Sequence, residues 1–177
     1  MPRASMTPAT GPNRRRNPSS CVLPASLQIA ALPVKQFTMA GYSGTPLPQK
    51  LGIKSGSTVV TMNEPQNYRK LLGKLDQVKF SNRITPNSDF VHLFTTRRSE
   101  LQRRLPILRE RIAGTGTVWV SWPKRSAGVA TDVTEDVVRA VALPLGFVDV
   151  KVCAVDETWS GLKLVVRREL RNRHQQK

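Results

Sequence analysis

The order of apolar patterns along this chain predicts an α/β fold. Between residues 57 and 168, short β-branched runs alternate with segments of helical spacing, in the order β-α-β-β-α-β-α-β-β. Strands that alternate with helices predict a mostly parallel sheet joined by right-handed crossovers. The last two strands are separated by a turn too short for a crossover, so they must form an antiparallel hairpin. A Rossmann-like three-layer sandwich, with a mostly parallel sheet ending in an antiparallel C-terminal hairpin, satisfies all three observations.

Each element has a local reason. Residues 41–56 (GYSGTPLPQKLGIKSG) form a loop-rich opening, with a helical turn around Gln49–Leu51. Ser57–Met62 is β-branched and apolar and reads as a buried strand. Pro65 suits a helix N1 position, with Asn63 or Glu64 as cap. Tyr68, Leu71, Leu72 and Leu75 then recur at helical spacing, and Gly73 weakens that helix. Val78–Ile84 and Asp89–Thr95 read as strands. Ser99 and Gln102 form a capping-box pair before a helix whose apolar face is Leu101, Leu105, Leu108 and Ile112. Pro106 predicts a kink or break there, and Gly114 and Gly116 an end. Thr117–Trp122 is the next strand. Thr131 or Asp132 caps a helix with Val137, Val138, Val141 and Ala142 on its apolar face, stopped by Pro144 and Gly146. Phe147–Val155 is a strand, Asp156–Gly161 a turn, and Leu162–Arg168 the last strand.

The 177 residues suit one domain with tails. The formal net charge is +16 but uneven: residues 1–38 carry five basic and no acidic residues, and 167–177 carry five basic and one acidic. The remainder carries 18 basic and 11 acidic residues, so the central domain is only moderately basic. Charge of this kind supports nonspecific attraction to polyanions and no more. Residues 1–38, rich in Pro, Ser, Ala and Arg, read as a disordered leader or an extension upstream of a start at Met39. Arg14–Arg16 followed by Cys21–Leu32 loosely imitates a signal peptide, but Pro24, Ser26 and Gln28 break its apolar run. Residues 39–169 read as the domain, and 170–177 as a basic disordered tail. No segment has the roughly 18 apolar residues of a membrane helix. Two cysteines, Cys21 and Cys153, provide neither a disulfide framework nor a multi-cysteine zinc site, which fits a reducing, cytoplasmic setting.

In a parallel sheet the carboxyl ends of the strands share one edge, where open α/β folds place their sites. That edge would collect Asn63 and Glu64, His92–Thr96, Ser121–Lys124 and Asp156–Ser160. Lys124 is a candidate anion anchor, against a solvated loop lysine. Trp122 is a candidate stacking surface, against core packing at a strand end. Asp156 and Glu157 are candidates for acid and base, for oxygen ligands to a divalent metal, or for contacts to polar or cationic groups, against an Asp156 that only stabilises its own turn. Trp159, followed by Ser160, reads as an aromatic lid or a plug over the hairpin. His92, between Val91 and Leu93, is more often a satisfied structural residue than a catalyst.

The absences also count. There is no glycine-rich nucleotide loop, P-loop, nucleophile elbow or HExxH. Glu64 and Pro65 occupy the turn where close backbone approach to a cofactor needs glycine. This reading therefore assigns no cofactor and no metal.

The segments GYSGTPLPQKLGIKSG (41–56), HLFTTRRSELQRRLP (92–106), SWPK (121–124) and TEDVVRAVALPLGFVDVKVCAVDETWSGLKLVVRRE (134–169) resemble the bacterial family called domain of unknown function 3052. The resemblance covers roughly residues 39–169. It implies a small, stand-alone bacterial cytoplasmic protein that starts near Met39, and it implies no activity. The terminal hairpin separately resembles class I methyltransferases, at fold level only.

Three functions follow as expectations. The first is a non-catalytic domain that binds a small anionic or nucleotide-like ligand, or a protein partner. In it Lys124 holds the anion and Trp122 and Trp159 wall the pocket. The second is a divergent methyltransferase-like transferase lacking the glycine-rich loop. The third is a basic nucleic-acid module built on Arg97, Arg98, Arg103, Arg104, Arg109 and Arg111.

Overall fold

The computed structural model describes residues 44–171. The predicted leader, the Met39 start and most of the basic tail lie outside the described residues.

A six-stranded sheet organises the molecule, in the order β2-β1-β3-β4-β6-β5. Its strands are β1 (Thr58–Met62), β2 (Lys79–Ser81), β3 (Ser88–Phe94), β4 (Ile112–Pro123), β5 (Phe147–Ala154) and β6 (Trp159–Val166). The β1–β2, β1–β3 and β3–β4 pairs are parallel. β6 is antiparallel to both β4 and β5 and lies between them. The crossover from β4 to β5 thus skips one strand position, and the hairpin folds β6 back into it. The α/β prediction holds, including the antiparallel ending.

Among the described residues four α-helices cover the sheet: α1 (Leu47–Leu51), α2 (Tyr68–Leu72), α3 (Arg98–Arg111) and α4 (Glu135–Ala142). Strand alternation sorts the core into two layers. On one face, Leu101, Leu105 and Leu108 of α3 and Val138 and Ala142 of α4 pack on Val60, Val91, Leu93, Val118, Val120 and Leu162. On the other, Leu51 of α1 and Tyr68 and Leu72 of α2 pack on Val59, Phe90, Phe94 and Trp119. The chain runs from β1 through α2 to β2 in one direction, and from β3 through α3 to β4 in the other. The direction reverses between β1 and β3, which is the topological switch point.

Several local expectations are corrected by tertiary context. α2 begins at Tyr68 rather than Pro65 and has only five residues. Asn63 at φ 55° starts a turn instead of a helix cap, and Gly73 at φ 68° ends the helix before Leu75. β2 keeps three residues of the expected Val78–Ile84. α3 runs through Pro106 unbroken, and the Ser99–Gln102 box does not form. The Asp132 carboxylate accepts from the Arg98 N–H at 2.6 Å instead, so a distant loop supplies the partner. α3 ends at Arg111, and Gly114 and Gly116 lie within the longer β4. Thr134, not Thr131 or Asp132, caps α4 by accepting from the Val137 N–H. The β5–β6 turn is shorter than expected, because Trp159 already belongs to β6.

Candidate functional site

The turn between β5 and β6 is built by Asp156. Its Oδ1 accepts from the Thr158 N–H at 2.8 Å and the Trp159 N–H at 2.7 Å. A carboxylate taking two backbone donors fixes a tight turn. Asp156 Oδ2 lies 3.4 Å from the Asn67 side-chain amide, which ties the turn to the start of α2. Lys124, just past β4, donates from Nζ to the Asp156 carbonyl at 2.7 Å. Its own N–H donates to the Thr158 carbonyl at 2.7 Å. The Lys124 ammonium therefore clamps the turn from below.

Across from this turn lies the opening segment. Gly44, Thr45, Leu47 and Lys50, then Asn67 just before α2 and Leu71 on it, and Val155–Thr158 together line a cleft. The cleft between them has a volume of about 610 Å³ and is open to solvent. Leu47, Leu71 and Val155 make its apolar surface, while Asn67, Lys50 and the exposed Glu157 offer an amide, an ammonium and a carboxylate. Such a mixture suits an organic ligand with an apolar body and polar ends.

The sequence candidates fall in different places. Asp156 and Glu157 line the cleft. Trp122 is buried with α3 and α4 on one face, whereas Trp159 packs edge-on against Phe94 on the other, with centroids 5.2 Å apart. The β4–β6 register places Trp159 opposite Pro123 and Ser160 opposite Trp122. Residues 122 and 123 point to opposite faces, so the two tryptophans cannot wall one pocket. Ser160 is half-buried within the ladder. Glu64 pairs with Arg69 at 2.8 Å beside the switch point. There Asn63 Nδ2 donates to the Phe94 carbonyl at 3.2 Å and to Glu100 Oε1 at 2.9 Å. These bonds bridge the ends of β1 and β3, where an open α/β fold would otherwise leave a crevice.

His92 is fully buried. Tyr68 Oη lies 2.6 Å from Nδ1, Ser121 Oγ lies 2.7 Å from Nε2, and Phe94 stacks on the ring. Burial lowers its pKa to about 3, so the ring is neutral. Burial, with help from Glu64, raises the Tyr68 phenol well above its usual range. The triplet is a satisfied polar link between α2 and the sheet, removed from solvent.

Sequence reasoning missed Thr45, Lys50, Asn67 and Leu71, while Thr158 fell within its Asp156–Ser160 edge. The opening segment was legible as a loop, but nothing local shows that it folds back beside the β5–β6 turn. Among the described residues no cluster of His, Cys, Asp and Glu is arranged to hold a metal.

The sheet order and its antiparallel ending define an α/β domain of the Rossmann-like class. The chain is similar to a candidate type 11 methyltransferase from Sulfolobus solfataricus, at 15% identity over 68% of this chain and 89% of that one, with a TM-score of 0.49. It is also similar to DhpI, solved as a complex with SAH, at 14% identity over 70% and 83% of the two chains, with a TM-score of 0.48. A TehB-like SAM-dependent methyltransferase from Corynebacterium glutamicum is similar at 6% identity over 72% and 90%, with a TM-score of 0.44. These likenesses concern the fold alone. No family model and no curated protein matches the chain.

Proposed function

We propose that the domain binds a small organic ligand in the cleft beside the β5–β6 turn, without cofactor-dependent chemistry of its own. One observation carries this reading: two segments about 110 residues apart in sequence, 44–50 and 155–158, face each other across a solvent-open cleft with both apolar and polar walls. Both segments lie within the stretches that resemble the bacterial domain of unknown function 3052, and that resemblance, over roughly residues 39–169, is what supports membership of that family and a cytoplasmic setting. Among the described residues no helix is long and apolar enough to cross a membrane. Glu157, Asn67 and Lys50 recognise the polar groups of the ligand, and Lys124 holds the turn that presents Glu157. A thermal-shift screen of small metabolites tests this. Compounds that stabilise the wild type should fail to stabilise Leu71→Trp, which sets a larger side chain in the cleft lining. Equal shifts in both proteins would place the ligand elsewhere.

The second reading is a methyltransferase-like transferase. The observation that favours it is the antiparallel β6 slotted between β4 and β5, the ending that resembles class I methyltransferases. Against it stand Glu64 and Pro65 in the turn after β1 and the Asn63 bridge across the β1–β3 crevice. Pro65 removes a backbone donor, and Glu64 repels an anionic group. Calorimetry with S-adenosylmethionine separates the two readings. The binding-domain reading predicts no heat, and micromolar binding would favour the transferase.

A further inference from the structure

Next to the cleft, on the α1 side of the sheet, four lysines gather. Lys50 lies on α1 and lines the cleft. Lys54 follows α1, and Lys151 of β5 is the ladder partner of Lys163 of β6. The Lys163 ammonium is held below the usual lysine range, first by burial and then by the charges of Lys151 and Lys54. Lys50 stands two residues before Gly52, which lies beside the Lys163 ammonium, so α1 links the cleft to Lys163.

On the far side of this surface the Lys151 ammonium lies over the Trp119 ring, 6.0 Å from its centroid, but no carboxylate pairs with Lys54, Lys151 or Lys163 among the described residues. The ion pairs among the described residues join arginines to Glu64, Glu100, Glu135, Asp136 and Asp149, and none reaches Lys54, Lys151 or Lys163. The carbonyls at the end of α1 already have protein partners in part. The Leu51 carbonyl accepts from Trp119 Nε1 at 2.9 Å. The Pro48 carbonyl accepts from the Gly52 and Ile53 N–H groups, each at 2.9 Å. Gly52, at φ 79°, closes α1 in a left-handed turn beside the Lys163 ammonium, 3.8 Å from where a Cβ would stand. Like charges gathered around a partly desolvated ammonium oppose folding, and a multiply charged anion relieves that repulsion.

We propose that this lysine surface holds the phosphate groups of a nucleoside polyphosphate whose nucleoside lies in the adjoining cleft. The proposal rests on the cleft being the binding site, as argued above. Leu47, Leu71 and Val155 offer apolar contact to a base, and Asn67 and Glu157 pair with amino or hydroxyl groups. Lysines act as point charges for phosphate oxygens. A small ligand fits better than a nucleic-acid strand, because the Asp156–Glu157 turn beside the lysines repels a continuous phosphate backbone.

The test is calorimetry on the full chain with the four ribonucleoside triphosphates, the corresponding nucleosides, inorganic tripolyphosphate and a single-stranded DNA 10-mer. At least one triphosphate should bind, and more tightly than its nucleoside. Lys54→Gln with Lys163→Gln should weaken the triphosphate about tenfold or more and leave the nucleoside unchanged. That double variant removes repulsion, so it should melt no lower than the wild type, which shows that it is folded. A triphosphate that binds no better than its nucleoside would overturn the lysine site and leave the cleft standing. Tripolyphosphate binding, with triphosphate affinity unmoved by Leu71→Trp, would overturn the cleft and with it the proposal. No binding by any triphosphate would overturn it outright. A 10-mer that binds more tightly than every triphosphate, and loses affinity in the double lysine variant, would assign the surface to nucleic acid instead.

Discussion

Asp156 shows how one side chain decides the shape of the candidate site. Its Oδ1 holds two backbone N–H groups, and its carbonyl holds Lys124 Nζ. Asp156→Ala leaves both N–H groups without their acceptor and should lower stability by about 1–3 kcal/mol in chemical denaturation. Asp156→Asn keeps an acceptor oxygen and should cost less. Equal losses would show that charge, not turn geometry, is what Asp156 supplies. His92 gives a pH-dependent counterpart. Its folded pKa of about 3 lies below the unfolded value of 6.5, so the neutral ring's contribution is complete above pH 6.5. It is lost as the pH falls toward 3, by an amount on the order of 5 kcal/mol. Stability measured from pH 7 to pH 4 should therefore fall more steeply in the wild type than in His92→Gln. Parallel slopes would contradict the buried, neutral assignment.

Among the elements, the central strands and the α3 and α4 core faces were legible because their periodicity is local. Leu101, Leu105 and Leu108 of α3 are buried as their spacing indicated. Features that depend on partners far along the chain were not legible. Asp132 serves α3 in place of Ser99, and Asn63 spends its amide across the switch point instead of capping α2. The two tryptophans illustrate the same limit. Their separation onto opposite faces follows from the Pro123–Trp159 register, which no local pattern specifies. Gly161 tests how tightly that register is set. A Cβ there would stand 2.8 Å from Ser121 Oγ and 3.3 Å from the Trp119 ring. Ser121 is held by His92, so it cannot yield without breaking that bond. Gly161→Ala should cost about 1–3 kcal/mol in thermal or chemical unfolding. A neutral result would show that β4 and β6 have room the structure does not give them.

For the whole molecule, topology determines where function can reside. The switch point between β1 and β3 is where an open α/β sheet ordinarily receives its ligand. Here Asn63 bridges it, and a solvent-open cleft lies beside the β5–β6 turn, lined also by the opening segment. The sequence foretold the missing glycines and the polar edge. It did not foretell that the edge would be completed by residues 44–50, because that contact spans most of the domain. The central claim is that this displaced cleft is a ligand site. Native mass spectrometry of the protein purified from its own host, compared with Leu71→Trp, tests it most directly. The account predicts a small molecule retained by the wild type and lost from the variant. The same load on both proteins, or an unliganded mass for a wild type sprayed under non-dissociating conditions, would contradict it.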